Sequence, residues 1–365
     1  MKIKGTFRGV DWTWKETALG RLLPDDYKGE ASVSELLPVY FDLAEASSLY
    51  NPERNQFFQR GDIRGFLLPN VTFWPSAGAC RTRNGILVRD SFHSVGKLES
   101  AKQLRLLKRY PLIRASTTAA SLGHTSRNYY HRFIDSIPRV YALNHPDLLA
   151  HEAIELFIDQ RFSAQEELII QAMLPPNVVV RKVPFGSRVH TPTYVHLPFL
   201  SSDRTGFSKW FDESGGFLPI EYIEFYLSKV LPLFGIQRRK PWRKLYVSRK
   251  NARVRRIKNE TQISECLQRN GFEVVYFEDM GLADQIRIMA EAQMVVAQHG
   301  AGLTNILYMQ PETRVVEIMS SEDKLIHYSL LSRSLGIQHT QIYSPGRDKN
   351  ADIFVEPDAL LEAVA

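Results

Sequence analysis

Three observations predict an α/β fold. Beyond residue 240 the chain alternates short runs of β-formers with helical periods of about ten residues, the pattern of βαβ units on a parallel sheet. One such run, Met294–Ala297, leads straight into a glycine-bearing turn, His299-Gly300-Ala301-Gly302. The 365 residues, 44% hydrophobic and 24% charged, also suffice for two domains with buried cores.

Each element follows from its residues. Lys244–Ser248 reads as the first strand. Asn259 and Gln262 resemble an N-cap and its capping-box partner, opening a helix that carries Ile263 and Leu267 and stops at Gly271. Phe272–Tyr276 is a second strand, and Leu282–Ala292 repeats apolar residues at helical spacing. Met294–Ala297 is the third strand, and a short helix runs from the glycine turn to Met309. Arg314–Met319, Ile326–Leu335 and Ile337–Tyr343 then read as strand, helix and strand. Together they predict a Rossmann-like domain over 235–345, entered through the basic stretch Gly235–Trp242. Residues 1–234 form a less regular first domain, with strands at Phe66–Leu68, Ile86–Arg89, Val178–Val183 and Tyr194–Leu197. Its helices are expected at Leu98–Arg109, Tyr129–Tyr141, Ala164–Met173 and Pro219–Leu231. The tail, 346–365, ends in a helical pattern at Pro357–Val364 that is expected to pack back on the first domain.

Charge narrows the function. The net charge is +6, yet Arg238–Lys258 alone holds 11 Lys/Arg and no acidic residue, and without it the balance turns acidic. A local patch on a mildly acidic body points to a localised anionic ligand and away from nucleic acid. A nucleic-acid binder using that patch is the rival reading. Cys80 and Cys266 lie in different halves and form neither a disulfide framework nor a zinc spacing. The first twenty residues lack the apolar core of a secretion signal, and no run is long enough to span a bilayer. The expectation is a cytoplasmic protein, with peripheral contact at the inner face of the membrane left open.

Two constellations carry chemistry. Gly300 and Gly302 let a ligand approach the backbone, and the helix they open has free amides and a dipole that favour an anion. The amides of Gly300, Ala301, Gly302 and Leu303 would cradle a phosphate, with His299, Thr304 and Asn305 as side-chain donors. The same string also fits a tight strand-to-helix turn that needs glycine for geometry alone. Arg249 follows the first strand, so it emerges on the same sheet edge, and its fork suits phosphate oxygens. Arg253 lies on the same loop. Glu317, at the end of the fourth strand, is placed to accept ribose hydroxyls. The second constellation is Asn128–Arg139, where His131 and Asp135 share one face if the segment is helical. A carboxylate there would fix the imidazole tautomer and make His131 a general base; a purely structural pair fits the spacing too, and His124 is the alternative base. The sequence has no Asp-x-Asp, no HExxH and no His/Cys cluster with ligand spacing, so no metal and no cofactor are expected.

These residues resemble glycosyltransferase family 61. The resemblance runs through Tyr246–Arg249, Asn259-Glu260, Gln285–Ala292, His299–Asn305 and Val315–Glu317, with an upstream block at Asn128–Val140. It implies an inverting, metal-independent transferase of GT-B architecture, two Rossmann-like domains facing across a cleft. The donor would be a nucleotide-diphosphate sugar, UDP-linked in the first instance. The acceptor would be a carbohydrate or lipid-linked carbohydrate, as in capsule and other polysaccharide biosynthesis. Arg249 and the glycine turn fall on the family's nucleotide-diphosphate positions, and His131 on its upstream histidine. Two departures stand out: Arg132 where Trp is usual, and Asp135 in place of Glu. A member that binds nucleotide without catalysing transfer is the second alternative.

Overall fold

The computed structural model describes residues 3–7, 10–14, 29–31, 41–42, 46, 48–51, 53–55, 63–88, 112–123, 128–201, 217–323 and 325–365, with backbone alone at 3–7, 10–14, 29–31, 41 and 86–87. The expected helix Leu98–Arg109 and the alternative base His124 lie outside the described residues. The chain divides into two compact units, one of residues 1–127 and 131–214, the other of 128–130 and 215–365.

The first unit is built on a mixed sheet. Its strands include β1 (Arg64–Trp74), β2 (Ala79–Arg81), β3 (Thr118–Ser121), β4 (Ile154–Asp159), β5 (Val178–Val183) and β6 (Arg188–His196), in the spatial order β5-β4-β3-β6-β1-β2. The pairs among β5, β4, β3 and β6 are parallel, whereas β6 with β1 and β1 with β2 are antiparallel. Parallel neighbours need a crossover, and helix α1 (Ala164–Met173) supplies it between β4 and β5. A capping box of Ser163 and Glu166 starts that helix. A Rossmann-like sheet was implied for this half; the antiparallel edge departs from it, because β2 returns from β1 through a tight turn with no room for a helix.

The second unit is a regular α/β layer. Strands β7 (Arg243–Val247), β8 (Glu273–Val275), β9 (Ala292–Gln298), β10 (Arg314–Ser320) and β11 (Gln338–Ser344) are all parallel, in the order β8-β7-β9-β10-β11. Helices α2 (Ile220–Leu233), α3 (Glu260–Arg269), α4 (Leu282–Ala290), α5 (His327–Leu335) and α6 (Pro357–Val364) accompany them. On one face Tyr246, Met294, Val296, Val316 and Ile318 share a core with Ile263 and Leu267 of α3 and Leu360 and Val364 of α6. The tail therefore packs into the second unit and not onto the first domain, because its apolar residues complete this core.

The division between units also falls earlier than 234. Helix α2 belongs to the second unit: the Tyr226 hydroxyl meets that of Tyr308 at 2.8 Å, and the Leu218 amide donates to Ser334 at 3.3 Å. Gly235–Trp242 is thus a connection inside that unit. Among the described residues no helix is long and apolar enough to cross a membrane. The functionally important consequence is the strand order. Beside β7 the chain winds one way to β8 and the other way to β9, and open α/β sheets bind ligands outside the carboxyl ends of the strands at such a reversal.

Candidate functional site

The end of β7 is fixed by a buried carboxylate. Glu260, the first residue of α3, accepts a hydrogen bond from the Tyr246 hydroxyl at 2.8 Å and another from the Ser248 hydroxyl. Asn259 does not cap α3 through its side chain. Its Nδ2 donates to the Val355 carbonyl at 2.8 Å and its Oδ1 accepts from the Val355 amide at 3.1 Å, tying down the tail.

Arg249 leaves this anchored strand end. Its Nε donates to the Arg255 carbonyl at 3.1 Å and its Nη2 to the Val254 carbonyl at 3.3 Å. Nη1 is turned to Gly300, where an added Cβ would lie 2.9 Å from the Arg249 Cζ. The Gly300 φ of 170° is extended backbone, so glycine is needed there for the close approach and not for the dihedral. A Cβ at Gly302 would meet Phe277 Cδ2 at 3.2 Å. Burial, and then the charge of Arg255, lower the Arg249 pKa from its ordinary value, against the pull of Glu278 and Tyr328. Arg255 has a φ of 58°, unusual for a side chain of its size. The repulsion between these two cations is of the kind that a bound anion would relieve.

The turn itself is held from beneath. His299 Nδ1 lies 2.6 Å from Glu317 Oε1, while Glu317 Oε2 meets His339 Nε2 at 3.0 Å and accepts from Gln341 at 2.9 Å. Against burial, which raises it, these bonds hold the Glu317 carboxyl down at about 2. Glu317 was expected at ribose hydroxyls. Its side chain is fully buried and both oxygens are engaged, so it braces His299. Asn305 is engaged in the same way: its Oδ1 accepts from the Tyr129 hydroxyl at 2.6 Å and its Nδ2 donates to Gln285 at 2.8 Å. Gln285 in turn donates to the carbonyls of Phe277 and Met280.

The short helix Ala301–Tyr308 is 3-10, and the Leu303 amide is already spent on the Gly300 carbonyl at 3.0 Å. The Ala301 and Gly302 amides are left at the helix start, where no intrahelical acceptor exists. Thr304 is buried against Tyr328. That tyrosine also stacks on His299, with centroids 5.2 Å apart, and meets Tyr130 edge-on at 5.6 Å. Arg253 is exposed on its loop, and Arg255 is the one whose charge reaches Arg249. Arg255 and Tyr328 escaped the sequence reading. Arg255 stood undistinguished in a basic run, and nothing local announces a left-handed arginine.

Three residues of that run form ion pairs. Arg243 pairs with Glu291 at 2.7 Å and with Glu273, Arg256 with Asp352 at 3.0 Å, and Lys258 with Asp348 at 3.2 Å.

In the first unit the expected helix over Tyr130–Ile137 is wider than an α-helix. Residues His131–Ser136 form a π-helical turn followed by a 3-10 segment, Ile137–Asn144, with Pro138 near its start. Such turns often mark functional sites. His131 Nδ1 lies 2.6 Å from Asp135 Oδ2, and Asp135 Oδ1 accepts from the Ser201 hydroxyl at 2.5 Å. Asp135 is buried while His131 keeps 19% of its side chain exposed. An ionised carboxylate only accepts, so Nδ1 carries the proton in this contact. Arg132 lies 3.6 Å from the Phe162 ring centroid and 3.3 Å from Glu166.

Comparison with known proteins follows the same residues. A family model described as Glycosyltransferase 61 matches residues 129–316. A beta-1,2-xylosyltransferase of Oryza sativa subsp. japonica is 31% identical over 99 residues, 25% of this chain and 19% of that protein. A beta-1,2-xylosyltransferase of Arabidopsis thaliana is 31% identical over 83 residues, 23% of this chain and 14% of that protein. The EGF domain-specific O-linked N-acetylglucosamine transferase of Rattus norvegicus is 27% identical over 103 residues, 27% of this chain and 19% of that protein. The matched segments thus span under a fifth of the length of these relatives.

Proposed function

The chain belongs to glycosyltransferase family 61, and on that premise we propose that it transfers a sugar from a nucleotide-diphosphate donor to a hydroxyl of a carbohydrate acceptor. In a GT-B division of labour the second unit holds the donor and the first the acceptor. The observation that carries this reading is the Arg249 guanidinium lying over Gly300 at the reversal of the parallel sheet. A diphosphate there would take Nη1 of Arg249, the Arg255 side chain and the Ala301 and Gly302 amides, with His299 braced by Glu317 beside them.

The chemistry assigned to these groups is inverting transfer. His131 Nε2 takes the proton of the acceptor hydroxyl, with Asp135 stabilising the imidazolium that forms. The oxygen attacks the anomeric carbon in line, the bond to the diphosphate breaks, and the charge left on it is taken up by the arginines and amides. No metal is assigned a role, and UDP is the proposed nucleotide. The acceptor proposed here belongs to polysaccharide assembly, lipid-linked or free.

The test is a thermal-shift series against nucleoside diphosphates with and without EDTA. A UDP-dependent rise in Tm that survives chelation and disappears in Arg249→Ala is expected. Wild-type turnover in a folded Arg249→Ala would overturn the assignment, since loss of one such donor costs ~10²–10³ in kcat.

A further inference from the structure

We propose that Ser201 is a positioning residue for His131. The inference rests on the reading of His131 as the base. Ser201 lies 66 positions from Asp135 in sequence, yet its hydroxyl donates to Asp135 Oδ1 at 2.5 Å, and both side chains are about 99% buried. Asp135 is thereby used at both oxygens: Oδ1 takes the serine proton and Oδ2 faces the imidazole at 2.6 Å. A carboxylate with one oxygen unsatisfied in a buried site would rotate or take a proton. Either change would take the acceptor away from Nδ1 and let the imidazole proton move to Nε2, the atom that must be free to accept from the substrate. Ser201 prevents both. The π-helical turn makes it necessary, because its widened backbone fixes the spacing of His131 and Asp135 but leaves the rotation of the carboxylate about its last bond open.

Three variants of the full chain test this: Ser201→Val, which removes the hydroxyl, Ser201→Thr, which keeps it at the same side-chain shape as valine, and Ser201→Cys, a weak donor. Turnover is measured beside the ¹⁵N spectrum of the histidine rings, with His131 assigned by its disappearance in His131→Gln. Ser201→Val should lower kcat about ten-fold, leave the donor KM within about two-fold, and give His131 a mixture of ring tautomers. Ser201→Thr should recover both readouts. Wild-type kcat and an unchanged His131 spectrum in Ser201→Val would overturn the proposal. Should Ser201→Val fail to fold, Ser201→Cys with wild-type kcat and spectrum would do the same. Full turnover in His131→Ala would sink the base assignment instead. The spectrum would then still report whether Ser201 sets the tautomer, so the two failures can be told apart.

Discussion

The guanidinium of Arg249 occupies the space a side chain would take at Gly300: an added Cβ would lie 2.9 Å from its Cζ. Strand β7 ends at Val247 and strand β9 at Gln298, and these two residues follow those ends by two positions each. The contact is thus the meeting of two adjacent strand ends, made by the residue that projects furthest and the one that projects not at all.

Gly300→Ala should therefore separate binding from stability. The atoms in the way belong to the free end of a flexible side chain, so the fold can accept the methyl group by displacing Arg249. Stability should change by less than about 1 kcal/mol, while kcat falls ~10²-fold as the guanidinium leaves its position. Thermal melting and turnover of the same preparation check it. A large fall in Tm with turnover intact would mean that Gly300 serves only the turn.

Arg255 and Arg253 offer a direct contrast within one loop. Arg255 contributes to the field at Arg249, and Arg253 is exposed. Isothermal titration with UDP should show Arg255→Ala weakening affinity about ten-fold, as expected for losing a charge-assisted bond. Arg253→Ala should stay within about two-fold. The reverse order would return the second arginine to Arg253.

The second unit was readable because each of its elements carries its own signal. Alternating β-formers and helical periods locate all five strands, and Gly271 and Gly336, with φ of 80° and 67°, end α3 and α5 as left-handed caps. What could not be read was who faces whom. Glu317 reads as a strand-end carboxylate, yet it lies in the middle of β10, where His339 and Gln341 on β11 engage it, and register is not a local property. Asn305 is bound by Tyr129, 176 residues away. The tail was misassigned because a short amphipathic helix states that it packs and not where. In the first unit His131 and Asp135 were paired by spacing alone, whereas the π-turn and Ser201 depend on tertiary packing.

Glu317→Gln distinguishes a brace from a ligand. An amide cannot accept from His299 and His339 with the strength of a carboxylate, and it leaves buried groups poorly paired. The expected outcome is a loss of about 3 kcal/mol of stability, read by denaturant unfolding, with the donor KM raised only through the displaced His299. An unchanged unfolding midpoint with a sharply raised donor KM would restore Glu317 to the ribose.

Acid should act on the two units in different windows. His196 on β6 is buried, and burial together with the charge of Arg139 lowers its pKa from 6.5 to about 3. It stays neutral in the fold while the unfolded chain takes a proton below 6.5, so the stability this represents is complete above pH 6.5 and drains away as pH falls toward 3. Glu317 moves the other way in charge but not in sign. Its pKa drops from 4.5 to about 2 on folding, so its contribution is whole above 4.5 and shrinks only between 4.5 and 2. Melting curves across pH should thus begin to fall below 6.5, with His196→Leu removing its share of the decline between 6.5 and 3. Glu317→Gln should flatten only the stretch below 4.5. A wild-type Tm that holds level from pH 6.5 to 4.5 would show that His196 gains a proton without unfolding, and that its pocket admits water.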